Sequence, residues 1–547
     1  MLIWKEWQER KWQLALGVTW MLCGSVYVVW YEMAHRFRAP VASLYSVTTM
    51  FGVLAAVLLA IRTAVGEKTQ RTLGFSAALP VSVRQQAWTR LGGAIITMAL
   101  PIILGAVVLT VALATGLVEQ ASPRLDRMTY VSLPNRASLT AFEAISFLWR
   151  ATAVETSATV TLLVLIVVLG ARCRTESQVG FLGAFLGIMS MILSDCRKLF
   201  DGLGQSALLD YIGALEPEML VVNYGYGLEQ GSYGDLVLAR TVWGPLVVNL
   251  FVLFGLGNLF ARQYGQVSRI SGNRRWVWRL WRPPAILSRL PIRWPGRLPA
   301  LIWLDLRQAV PLALSGLGVA CLITIIVLLT EHQGHGPFVQ QIAGQLPGGT
   351  WFVAVLWAVI VAAGIFSSEL QPDLGTFWRS RPIGPATWYC VKFVVGLVAV
   401  LAVLDGVTIW VSWNSAYGSG PNEMSRSYVA CMPLLHATMY AVTVLGVCWL
   451  RQPIYGAVAG VLVYALATTL IGTIPGAGEF DPLAVYNGLF QAERMSQVIN
   501  LREHNYPLVY GTLAALTFAA ALLAVPAVLK PAHRKPIFQI GRRRGCY

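Results

Sequence analysis

Apolar stretches long enough to cross a hydrocarbon core of about 30 Å, roughly 20 residues as helix, alternate along this chain with shorter polar stretches. The pattern predicts twelve spans, near 13–31, 44–61, 92–118, 152–171, 178–194, 241–261, 309–330, 350–367, 391–413, 429–449, 453–472 and 509–529. The fifth is short and rich in glycine. The spans fall into two halves with one rhythm: an approach at the membrane interface, two spans, a polar loop, two spans with a short turn into a fifth, a long segment of mixed polarity, and a sixth. The expected organisation is a first six-span half over 1–265, a linker over 266–300, and a second six-span half over 301–547 with a basic tail. Duplication of a unit with an even number of spans gives both halves the same membrane orientation.

The polar loops carry the clearest repeat. The first reads Gly66-Glu67-Lys68-Thr69-Gln70-Arg71-Thr72-Leu73-Gly74-Phe75-Ser76-Ala77-Ala78-Leu79-Pro80-Val81-Ser82, and the second runs from Glu369 through Phe377, Trp378, Arg379 and Pro382 to Gly384. In both, the glutamate precedes a phenylalanine by 8 residues and a proline by 13. The approaches also match, Trp4-Lys5-Glu6 opening one half and Trp303-Leu304-Asp305 the other. The first dozen residues interleave charge and tryptophan, which excludes a cleavable signal peptide and suits a helix lying in the interface with its tryptophans at headgroup level.

Composition agrees with the pattern: the chain is 56% hydrophobic and only 12% charged, against about 25% charged for a soluble domain. The expected fold class is an all-α integral membrane protein of about twelve transmembrane helices in two parallel-oriented repeats. The net charge of +16 needs no nucleic acid to explain it. Loop 62–91 holds Arg62, Lys68, Arg71, Arg84 and Arg90 against Glu67 alone, segment 262–308 holds ten arginines against Asp305, and the tail from Lys530 has six bases and no acid. On the other side, 195–240 carries seven acids and three bases, and 331–349 has no Lys or Arg. Loop 119–150, with four arginines and three acids, dissents mildly. The positive-inside rule places both termini, both polar loops and the linker in the cytoplasm, so a multi-pass protein of the cytoplasmic membrane is expected. The linker's Arg274-Arg275-Trp276-Val277-Trp278-Arg279-Leu280-Trp281-Arg282 suits lipid headgroups at that interface. Eight scattered cysteines without a Cys-x-x-Cys pair point to neither a disulfide framework nor a zinc site.

The two-span start, the interfacial approach and the run Glu67-Lys68, Thr72-Leu73 and Leu79-Pro80-Val81-Ser82 before the third span resemble the membrane subunit of ABC type-2 exporters. The long outward segments before the sixth and twelfth spans fit that family too, which has short re-entrant helices there. The resemblance covers nearly the whole chain as two fused six-span copies. It implies that the polar loop is a coupling helix docking on an ATP-binding subunit, with Glu67, Leu73, Phe75 and Pro80 as coupling residues in the first half. Glu369, Phe377, Trp378, Arg379 and Pro382 would serve in the second. It further implies two copies of a separate ATPase, membrane lipids as surroundings, and ATP with Mg on the partner alone, no cofactor being bound by this chain. The second copy departs from the pattern, since Gly384 stands where the first has Ser82 and Pro372 interrupts it, so the two ATPase contacts are expected to differ.

The physical reading of the loop stands beside that resemblance. A joint that turns a partner's motion into a tilt of attached spans must be short and stiff, with breaks supplied by glycine and proline. Phe75 or Phe377 offers an apolar knob, and the charges offer register. No Gly-Lys dipeptide occurs, so the chain holds no P-loop, and neither His-Glu-x-x-His nor Gly-x-Ser-x-Gly is present. A transport subunit rather than an enzyme is expected. His332-Gln333-Gly334-His335 is the nearest approach to a metal site and lacks carboxylate support. Ionisable groups inside spans are costly and mark functional positions: Glu155 in the fourth span and Asp405 in the ninth are candidates for a substrate path or for interhelical hydrogen bonds, and His436 reads as a packing residue. The expected function is the permease of an ABC exporter working by alternating access. The alternative is a six-plus-six secondary transporter driven by protons through Asp405 or Glu155, and a membrane enzyme on lipid-linked substrate is disfavoured for want of a clustered acid or histidine constellation. Only 7 of the 42 basic residues are lysine, a balance typical of GC-rich bacterial genomes.

Overall fold

The computed structural model describes residues 2–35, 39–69, 82–120, 139–173, 179–180, 182–183, 185–187, 215, 217–224, 235–238, 242–264, 296–331, 338–367, 384–415, 423–451, 453, 455–462, 464 and 506–529. Among these, nine helices are long and apolar enough to cross a membrane, and a shorter apolar helical stretch covers Val353–Phe366. The chain divides into two compact units, Met1–Arg274 and Arg275–Tyr547.

The first unit holds α1 (Leu2–His35), α2 (Pro40–Thr69), α3 (Val83–Ala114), α4 (Ala141–Gly170) and α5 (Trp243–Tyr264). α1 packs most extensively on α3 and α2 on α4, while α5 lies against α3 and α4. α1 and α3 run in the same direction, since Arg10 meets the backbone of Arg90 and a methyl on Gly105 would strike Met21 and Ser25. α2 runs the other way, with Gly24 of α1 against Val47 and Arg10 against Thr63. The ends follow local chemistry. Ser82 opens α3 with a reciprocal capping box to Gln85, and Thr140 opens α4 with one to Glu143. Gly116, at φ +71°, closes α3: its N–H donates to Leu113 O (3.2 Å) and that of Leu117 to Ala112 O (3.0 Å), a Schellman pairing that needs the left-handed residue.

The second unit holds α6 (Arg297–Glu331), α7 (Phe338–Ser367), α8 (Pro385–Val400), a π-helical turn at Leu401–Gly406, α9 (Val407–Ser415), α10 (Glu423–Leu450) and α11 (Tyr506–Leu529). α6 pairs with α7 and α8, α7 also with α10, and α10 with α11. Trp357 of α7 fits over Gly316 of α6 and donates its indole N–H to Ser315 Oγ at 3.0 Å. Proline sits inside α3, α6, α7, α10 and α11, which membrane helices tolerate because neighbours satisfy the freed carbonyls.

Ten of the twelve expected spans therefore coincide with described helices, and the other two, 178–194 and 453–472, are described in part. Residues 179–180, 182–183 and 185–187 are helical and track α2, with Gly183 against Val57 and Ile166 and Gly187 against Val53. Residues 455–462 are helical and fold back on α10, where Gly456 and Gly460 meet the backbones of Gly446, Val447 and Thr443 with no room for a side chain. The positive φ of Arg451, +53°, makes the turn between them.

One expectation is corrected, and one segment gains detail. The N-terminal approach is not a separate interfacial helix. It is continuous with the first span in one 34-residue helix, about 51 Å long at 1.5 Å per residue. Its tryptophans Trp4, Trp7 and Trp12 are exposed while Glu6 and Arg10 are buried, so the polar stripe faces protein and the aromatic stripe faces outward. The long segment before the sixth span carries, in its described part, a 3-10 turn at Pro217–Leu220 and an antiparallel ribbon of β1 (Val221–Tyr224) and β2 (Asp235–Leu238), with Val221 opposite Leu238 and Tyr224 opposite Asp235. The 3-10 turn packs on α4 and α5 and β2 touches α2, so Leu220 joins Phe147, Val242 and Leu246 in the buried apolar cluster at that end.

Candidate functional site

Each unit holds a buried ion pair between its first and third helices. In the first unit Glu6 of α1 bridges two arginines: its Oε2 accepts from Arg10 Nε at 3.0 Å and its Oε1 lies 3.2 Å from Arg90 Nε of α3. Arg10 Nη2 donates to Thr63 Oγ1 of α2 (3.1 Å) and to the carbonyl of Arg90 (3.2 Å). Arg62 reaches Glu9 at 3.7 Å. One cluster thus ties α1, α2 and α3 together. α5 closes over it: Arg90 sits 6.0 Å above the Tyr264 ring, Arg84 donates to Asn258 Oδ1 at 2.8 Å, and Trp88 stacks on Phe254 and enters the gap left by Gly257.

In the second unit Asp305 of α6 and Lys392 of α8 meet at 2.8 Å with no exposed side-chain surface on either. Lys392 Nζ also donates to the carbonyl of Ile365 in α7 (3.3 Å) and lies 5.6 Å from the Trp388 ring centre. Three helices are again tied at one point. α11 closes this side, the Tyr389 hydroxyl donating to Ala521 O at 2.9 Å.

The two sites occupy equivalent places. Glu67 and Glu369 are 302 positions apart, and so are the helix N-caps Ser82 and Gly384 and the bases Arg90 and Lys392. Thr63 and Ile365, the third partners, keep the same spacing. Gly384 in place of Ser82, expected to make the loops unequal, is the same helix start made by other means: Pro385 at the first helical position presets φ where the first unit uses a side-chain cap.

The coupling residues expected from sequence fall mostly outside the described residues. Leu73, Phe75, Pro80, Glu369, Phe377, Trp378, Arg379 and Pro382 all do, while the backbone of Glu67 lies in the last turn of α2. Arg90 and Lys392 lie about 12 Å along α3 and α8 from the N-caps. Sequence reasoning missed both pairs. It counted Arg62 and Arg90 as loop charge, whereas Glu9 and Glu6 neutralise them from α1. The signal was present, because Lys392 follows Glu369 by the 23 positions that separate Arg90 from Glu67.

Of the interior carboxylates, Glu155 is buried where α4 crosses Gly52 of α2. Asp405 lies on the π-turn with its Oδ1 2.8 Å from Nδ1 of His436 on α10. His436 is therefore the partner of Asp405 and not only a packing residue. The two carboxylates belong to different units. In the first unit Asn249 of α5 bonds Ser157 Oγ (2.7 Å) and Thr161 Oγ1 (3.1 Å) of α4, a polar link between spans. Among the described residues no three His, Cys, Asp or Glu side chains gather to hold a metal.

Comparison with known proteins finds no matching family model, no similar curated protein and no similar solved structure. Fold and geometry define the class, a multi-pass helical membrane protein whose chain divides into two compact units.

Proposed function

We propose that this chain is the membrane subunit of an ABC type-2 exporter with both halves fused, moving substrate across the cytoplasmic membrane by alternating access. A separate ATPase in two copies supplies the energy and holds ATP and Mg, and this chain performs no chemistry of its own. The reading includes twelve spans, cytoplasmic termini and two cytoplasmic coupling loops, at Glu67–Pro80 and Glu369–Pro382. The observation that carries it is the repeated foundation: at each loop, an acid of the first helix is locked to a base two turns inside the third. Force applied to a loop so rooted moves its helices as a body instead of bending the loop.

The test is co-purification from native membranes, comparing the unaltered chain with Glu67→Arg/Glu369→Arg. An ATPase that accompanies the first and is lost from the second supports the reading. If no ATPase accompanies the unaltered chain, and the purified protein alone carries protons that Asp405→Asn abolishes, the protein is a proton-driven transporter. The buried Asp405–His436 pair is the observation that favours this second reading.

A further inference from the structure

The second unit buries Asp305 on α6, Lys392 on α8, Asp405 on the π-turn, and His436 and Tyr440 on α10. Asp405 and His436 form the inner pair, 1% and 0% exposed. One helical turn along α10, the fully buried Tyr440 donates its hydroxyl to the carbonyl of Lys392 at 3.4 Å. Tyr440 reaches that far because residue 396 is glycine: a methyl there would overlap the hydroxyl. The Lys392 ammonium, on the side chain, meets Asp305. Asp405 rides on the only π-turn among the described residues, and such single-turn insertions concentrate at functional sites. The turn is braced on its far side by Thr408, whose hydroxyl lies 3.0 Å from that of Thr350 in α7. The first unit has no counterpart, since Ile103 stands 302 positions before Asp405. A structural need common to both units would have kept a polar residue in both.

We propose that Asp405 and His436 form a proton-binding site inside the second unit. The physical argument is one of charge. A lone carboxylate in the membrane interior is expensive. An adjacent imidazole holding one additional proton makes the pair neutral overall, whether the proton sits on nitrogen or on oxygen. Loss of that proton leaves one negative charge on the pair, with a neutral imidazole still able to donate its Nδ1–H to the carboxylate. Histidine is the side chain that exchanges a proton within the physiological range. The other titratable groups on the elements packed around the pair are Arg297, Asp305, Arg307, Cys321 and Glu331 on α6, Tyr389, Cys390 and Lys392 on α8, and Glu423, Arg426, Tyr428, Cys431, Tyr440 and Cys448 on α10; α7 and α9 carry none. The proton enters or leaves as such, with no bond made or broken in the chain.

The experiment is infrared difference spectroscopy of the full-length protein in lipid bilayers, stepped from about pH 8 to about pH 5, the range in which imidazole titrates. The expected result is a carboxyl band lost in Asp405→Asn together with an imidazole band lost in His436→Gln, each variant removing both. Should a variant fail to fold, 13C-histidine in a chain whose other five histidines are replaced by glutamine gives the same information, its one signal being that of His436. Bands that ignore the pH step overturn the proposal and make the pair a fixed hydrogen bond. The readout uses no ATPase and no transport, so it stands or falls separately from the exporter reading.

Discussion

Lys392 and Asp305 place opposite charges 2.8 Å apart where neither side chain is exposed. Such a pair contributes little net stability compared with apolar residues of the same volume, yet removing one member strands the other. Lys392→Met is expected to cost about 3–5 kcal/mol, and Asp305→Leu/Lys392→Met to recover most of it. The first unit is cushioned. Arg90→Met leaves Arg10 on Glu6 at 3.0 Å, so the expected loss is the smaller one of about 1–3 kcal/mol for a deleted charge-assisted hydrogen bond. Thermal unfolding of the four proteins in one detergent checks the order; equal losses from Lys392→Met and Arg90→Met would refute it. Legibility at this scale followed chemistry. Asp405 and Glu155 stood out because a carboxylate within an apolar run has few explanations. Lys392 was hidden at the edge of its span, where a long base ordinarily snorkels to the interface. Glu6 and Arg10 were hidden among tryptophans, since sequence alone does not say which stripe of an amphipathic helix meets lipid.

Elements came through where their cause is length and apolarity, and blurred where it is one residue. The long helices needed only hydropathy, but the π-turn at Leu401–Gly406 has no compositional mark, and strands of four residues are too short for alternation to show. The helix starts after the loops lie between these cases. Leu79-Pro80-Val81-Ser82 reads as a stop followed by a cap, whereas Gly384-Pro385 reads as a departure from it although both begin a helix at the same register. The difference predicts unequal sensitivity. Ser82→Ala removes the hydroxyl that accepts from Gln85 N at 3.2 Å and is expected to cost about 1 kcal/mol, roughly a five-fold acceleration of amide hydrogen exchange in the first turn of α3. Gly384→Ser is expected to leave the first turn of α8 within a few tenths of a kcal/mol of the original. Exchange mass spectrometry of both turns decides the matter, and protection of α3 unchanged by Ser82→Ala would show that its start is held by packing instead.

For the molecule as a whole, the parity of spans in the first unit determines what the repeat means. The third helix of each unit starts at an N-cap 302 positions from its counterpart and is locked to the first helix two turns in. If only α1–α5 cross the membrane, seven crossings precede Gly384 against two before Ser82, and the loops face opposite sides as in an inverted repeat. If the segment around 179–187 also crosses, eight crossings precede Gly384 and both loops share one side. The second case is expected, for two reasons of different origin. Those residues descend along α2 from the level of Gly170 to that of Val53, as a span would. The basic surplus of loop 62–91, of the linker and of the tail also calls for one common side. Single cysteines at Ser82→Cys, Gly384→Cys and Thr140→Cys, each on a cysteine-free background in intact cells, read the answer with an impermeant maleimide. Positions 82 and 384 are expected to stay unlabelled until the membrane is opened, while 140 labels at once. Labelling of 384 but not 82 would make the units an inverted pair, and two loops on opposite sides have no common ATPase to couple to.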